Sequence, residues 1–175
     1  LFRSLLWTFA GIALIHKSDA APPEQRRGLA WEAIEQFQVA DSMHSTYLPT
    51  LLSMGLAYYR LDSVETAERC WDRVRVIDAK DPKLMQLEAF LFDRFYKEGL
   101  IAGTEKKLAD AIALLRKAVK YAPNNADAWY NLGGVYYTSG DRDQARVAWE
   151  KALSLKPDHL NARQGMAALN ASAVK

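Results

Sequence analysis

The sequence has few of the residues that build chemistry. Cys70 is its only cysteine, so no intrachain disulfide can form. A lone thiol beside Trp71 within a helix, with no base nearby in sequence, serves packing before nucleophilic attack. The three histidines, His16, His44 and His159, stand apart with no His or Cys at ligand spacing, which excludes the usual zinc patterns. An excess of one charge is missing as well: 23 basic against 21 acidic residues leave a net charge of +2. The densest basic cluster, Lys106, Lys107, Arg116, Lys117 and Lys120, carries no interleaved aromatics and reads as a solvated helix face, so no nucleic-acid partner is expected. Leu132, Gly133 and Gly134 interrupt a helical pattern with no Lys-Ser or Lys-Thr after them, and so do not form a phosphate loop. With carboxylates scattered among basic residues, the chain offers no catalytic constellation, metal site or cofactor site, and a non-enzyme is expected.

Long apolar runs are also missing. The first 15 residues, LFRSLLWTFAGIALI, fall short of the roughly 20 that a membrane span needs. As a signal segment they have a basic residue and an apolar core, but His16, Lys17 and Asp19 follow where small neutral residues would be expected. A repeat register instead places Trp7, Gly11 and Leu14 on the first helix of a unit, and this reading is favoured over a membrane-linked segment. A helix apolar all round would then be buried on both sides, by a preceding segment or a partner. The missing initiator Met points to residues upstream. Self-association through this helix is a further option. The compartment stays open between a slightly favoured cytoplasmic placement and membrane association.

What the chain does have is self-similarity. Trp129, Leu132, Gly133, Tyr136, Ala145, Trp149 and Ala152, followed by Pro157, recur upstream as Leu51, Met54, Gly55, Tyr58, Ala67, Trp71 and Val74, with a period of 78 and no counterpart of the proline. Half of this duplication is a 34-residue unit, clean at 48–81 and 126–159. The stretches 4–47 and 82–125 are longer by ten residues, placed between the two helices of each unit. Ala20–Arg27, with two prolines, reads as a polar loop, and the first helix after residue 82 is expected to run on by about two turns. Gly55 and Gly133 each cost a helix interior about 1 kcal/mol relative to Ala, which calls for close approach of a partner helix. Ala67 and Ala145 are the small residues expected to face them. Ser139, Gly140 and Asp141 break the helix, and Asp141 with Gln144 resembles a capping box.

These positions resemble the tetratricopeptide repeat, most closely in Ala126 to His159, next in Leu48 to Asp81, and least at 4–47. Asp62 departs from the pattern, standing where Gly140 supplies the turn glycine. The resemblance implies an all-α, right-handed superhelical solenoid of antiparallel helix pairs, with about four repeats and a capping helix at 160–172. At this length the chain is expected to be one domain, 1–175. It also implies a non-catalytic scaffold or adaptor that binds a peptide or helix of a partner protein in a concave groove. The alternative is a regulatory or recruiting domain of a larger enzyme. Ligand contacts are expected on the outer stripe of each first helix: Leu52, Leu56, Tyr59 and Arg60; Gln86, Phe90, Asp93 and Arg94; Tyr130, Asn131, Gly134 and Tyr137. Such a stripe rewards apolar anchors. Leu52, Leu56 and Gln86 stand where the subset that grips acidic chaperone tails has lysine, asparagine and arginine, which argues against that ligand.

Overall fold

A computed structural model describes residues 2–171. Among them nine helices and no strand occur: α1 Phe2–Ala20, α2 Pro23–Met43, α3 Leu48–Arg60, α4 Val64–Ile77, α5 Pro82–Thr104, α6 Leu108–Tyr121, α7 Ala126–Ser139, α8 Arg142–Leu155 and α9 Leu160–Ala171. Residue 172, the expected end of the capping helix, lies outside the described residues. Where the sequence suggests one domain, contacts divide the chain into two compact units, residues 1–85 and 86–175. Each is described by itself.

One contact is rebuilt in every helix pair. A Cβ on Gly55 would fall closer than 3 Å to the Trp71 indole, and one on Gly133 as close to that of Trp149. The large ring of the second helix therefore fills the space of a missing methyl on the first, and glycine is kept mid-helix for that reason. Ala67 and Ala145 are fully buried, but the residues against the two glycines are the tryptophans, which corrects the expected pairing. The same contact recurs between Gly11 and Phe37 and between Gly99 and Leu115. Trp71 Nε1 donates to Leu52 O at 3.4 Å and Trp149 Nε1 to Tyr130 O at 3.0 Å, so each buried indole N–H finds a partner on the facing helix.

Gly99 shifts the register of one unit. Glycine and the side chain that fills its space are sixteen residues apart at 55 and 71, at 99 and 115, and at 133 and 149. The regular 34-residue unit of the second half is thus 92–125, and the ten extra residues precede it as added length on α5. They do not lie between the helices, as the sequence suggested. The turns agree: Asp62, Lys106 and Gly140, at matching positions, all adopt positive φ, of 63°, 60° and 88°. Asp62 therefore takes the same left-handed turn without a glycine, at a cost on the order of 1 kcal/mol.

In the first pair the extra length does lie between glycine and ring, but as helix. Pro22 is the N-cap of α2, and Pro23 sits in its first turn, where a missing N–H is harmless. The expected loop shrinks to Ala21 and Pro22, and 23–27 are helical. Asp141 behaves as expected, with its side chain accepting the Gln144 N–H at 3.1 Å to cap α8; Asn125 does the same for α7.

Unit 1 is tied by Arg73, which donates to both carboxylate oxygens of Asp41 at 2.8 and 2.7 Å. Cys70 lies within α4, and burial pushes its thiol up to about 11. Thiolate is therefore scarce at neutral pH. A disulfide reagent at pH 7 should leave the folded chain unmodified and react fully once urea unfolds it, as followed by absorbance of the released thiol.

α1 is a helix packed on α2 and α3, but with an unexpected face inward. Ser4, Thr8, Gly11, Ile15 and Ser18 are buried, and Thr8 Oγ1 shares a 2.7 Å hydrogen bond with Thr50 Oγ1. Of the residues that the register places on this helix, Gly11 is buried, Leu14 half-buried and Trp7 exposed, as are Phe2, Leu6 and Phe9. Burial is on one side only. Among the described residues no helix is long and apolar enough to cross a membrane.

Candidate functional site

In unit 1 the outer stripe of α3 is largely engaged. Leu52 is buried and its carbonyl takes the Trp71 N–H. Leu56 is half-buried. Tyr59 leans on Trp71 with ring centroids 5.9 Å apart, and Arg60 is paired with Asp19 at 3.0 Å.

Unit 2 repeats part of this arrangement. Tyr137 lies 5.6 Å from Trp149, matching Tyr59 on Trp71. Tyr130 lies 5.0 Å from the His159 ring. His159 is almost fully buried. Its Nε2 meets Asp127 Oδ1 at 3.0 Å, and its Nδ1 accepts the Ala162 N–H at 3.3 Å. The latter bond requires an unprotonated Nδ1.

The shifted register separates the remaining candidates. Gln86 and Phe90 are exposed near the start of α5, ahead of the segment that Gly99 pairs with α6. Asp93 is paired with Lys97 and Arg94 with Glu98. The positions on α5 that match Tyr130, Asn131, Gly134 and Tyr137 are Tyr96, Lys97, Leu100 and Gly103. Counting back by 34 from Pro157, Ala145 and Gly133 to Pro123, Ala111 and Gly99 could have found them.

Between α5 and α7 lies a shallow cavity of about 330 Å³, lined by Gly99, Leu100, Gly103 and Thr104 on one side and Asn131, Gly134, Val135 and Thr138 on the other, with Leu108 at its end. Added bulk on Gly134 would meet nothing within 4 Å, so its floor is open. Asn131 Nδ2 donates to Tyr96 OH at 2.7 Å and to Asp127 O at 2.9 Å. Its Oδ1 is left as an unused acceptor among the described residues. Burial raises the Tyr96 phenol above its usual range, and the Asn131 bond pulls the other way, so Tyr96 is neutral and can position the amide. A wider cavity of about 530 Å³ lies over Trp129, Leu132 and Tyr136 between α6 and α8. Asp141, at its rim, is already committed to capping α8. Among the described residues no group of His, Cys, Asp and Glu could hold a metal ion.

Residues 104–169 match the family model of the tetratricopeptide repeat. The human protein O-mannosyl-transferase TMTC1 is 28% identical over 117 residues, which is 67% of this chain and 13% of that protein. The chicken DnaJ homolog subfamily C member 3 is 29% identical over 115 residues, 66% of this chain and 21% of that protein. The chain thus spans a small part of the curated relatives it matches. Among solved structures, MamA is similar in fold, with 24% identity, a TM-score of 0.46, and coverage of 86% of this chain and 82% of that one. Residues 104–169 are thus tetratricopeptide repeats, and α3 and α4 at 48–77 rebuild the same helix pair with the same glycine against tryptophan.

Proposed function

We propose that the chain is a non-catalytic binding scaffold, and that unit 2 holds an extended segment of a partner protein in the cavity between α5 and α7. The observation that carries this is Asn131, fixed by two donated bonds with its Oδ1 free beside a floor of Gly103 and Gly134. A fixed acceptor fits a peptide N–H, and the glycine floor admits a small apolar side chain between Leu100, Leu108 and Val135. Tyr130 and Tyr137 flank this groove as aromatic contacts, and Phe90 is an exposed apolar contact for a longer ligand. In unit 1 Leu56 and Tyr59 stand where unit 2 has Gly134 and Tyr137, and Leu52 and Arg60 are held within the unit. Because the chain spans so little of its curated relatives, a recruiting domain within a larger protein is the second reading.

Gly134→Leu tests the site, since it fills the groove from a position with open space and should leave the melting temperature unchanged or slightly raised. Affinity capture from native lysate should recover a specific protein with the wild-type chain and about tenfold less with the variant. Equal recovery by both would remove the groove from consideration.

A further inference from the structure

The uncovered face of α1 is the largest feature that the groove does not explain. Phe2 is 79% exposed, Leu6 59% and Phe9 62%, and with exposed Ala13 they form one stripe opposite the buried Ser4, Thr8, Gly11 and Ile15. Arg3, His16 and Lys17 are exposed beside it. No acidic residue precedes Asp19 on this helix, and Asp19 is held by Arg60. The face is apolar, and Arg3 and Lys17 at its margin are cationic.

Other first helices show what a stacked helix covers. Aligning Gly11 with Gly55 sets Leu6, Ala10 and Ala13 against Thr50, Met54 and Ala57, all buried in unit 1. At about 100° per residue, Phe2 and Phe9 lie roughly 50–70° round from that stripe. Phe9 corresponds to Ser53 on α3 and to Asn131 on α7, positions that stacking leaves partly exposed. A single packed helix would leave Phe9 partly in water. A second copy laid antiparallel on α1 would bring Arg3 of each chain beside His16 and Lys17 of the other, a repulsive arrangement. A broad surface of negative charge satisfies the whole face.

We propose that α1 docks on an anionic membrane surface, lying in its plane. Phe2, Leu6, Phe9 and Ala13 enter the headgroup and acyl boundary, and Arg3 and Lys17 reach lipid phosphates along their apolar stems. The helix lies on the bilayer and does not cross it. This docking surface belongs to unit 1 and is independent of the groove in unit 2, so either can fail alone.

The full chain would be sedimented with vesicles of phosphatidylcholine containing phosphatidylglycerol, and with vesicles of phosphatidylcholine alone. Binding to the anionic vesicles is expected, much weaker on the neutral ones. The double variant Leu6→Ser with Phe9→Ser should lower the partition coefficient on the order of a hundredfold, and Arg3→Glu with Lys17→Glu on the order of tenfold. All four sites are exposed, and an unchanged circular dichroism melt confirms the fold. The idea is overturned if the chain stays in the supernatant with anionic vesicles, or if the serine variant binds them as well as wild type. It is equally overturned if wild type forms a dimer that the serine variant abolishes while neither touches lipid.

Discussion

Trp149→Ala is expected to lower stability by about 3–5 kcal/mol, and Gly133→Ala alone by roughly 1–3 kcal/mol. The first removes a ring that is almost wholly buried and leaves the Tyr130 carbonyl without its donor. The second places a methyl where the indole already stands. In the double variant the methyl enters the vacated space, and its better helix propensity, worth about 1 kcal/mol, is realised. Gly133→Ala should therefore change sign, from destabilising in the wild type to mildly stabilising beside Trp149→Ala. Urea denaturation of the four proteins in the cycle measures this coupling. Additive effects would mean that ring and glycine do not compete for the same volume. Gly134→Ala, one residue on, is a control with open space around it and should raise stability by about 0.5–1 kcal/mol.

Phe37→Ala should cost unit 1 about 3–5 kcal/mol. The ring is fully buried and sits against Gly11, where a Cβ would fall closer than 3 Å. No polar atom takes part, so the loss is burial plus the cavity left between two long helices. Amide hydrogen exchange should quicken along both α1 and α2, since their contact is centred there. A loss below about 1 kcal/mol, or faster exchange confined to the ends of those helices, would show that Phe37 is not the hinge of this pair.

These packing centres explain which parts of the fold were legible in sequence. The clean copies at 48–81 and 126–159 could be read directly because tryptophan, glycine and alanine recur there at fixed offsets. At 82–125 a leucine replaces the tryptophan, and the glycine that sets the register, Gly99, stands ten residues later than a count from residue 82 puts it. Lys106 hid the matching turn, because positive φ leaves no mark in a sequence when the residue is neither glycine nor asparagine. A count from residue 82 therefore points to Gln86 and Phe90, which lie ahead of the regular segment of α5, and misses Leu100, Gly103 and Thr104. The inverted burial of α1 was hidden for another reason. Its inward face is made of Ser4, Thr8 and Gly11, small residues chosen for close approach, while hydropathy directs attention to the larger residues that point away.

The sixteen-residue interval from glycine to ring also limits how the gene for this chain can change in length. A single codon inserted within α7 after Gly133, or within α8 ahead of Trp149, would turn glycine and indole about 100° off each other, and no small repair restores the contact. Added codons can persist ahead of the interval, as at the start of α5, or where both helices of a pair grow together so that glycine and ring still meet, as in α1 and α2. Length variants of this gene should accordingly cluster at such places, and single insertions should be absent from the helical stretches between each glycine and the side chain that faces it.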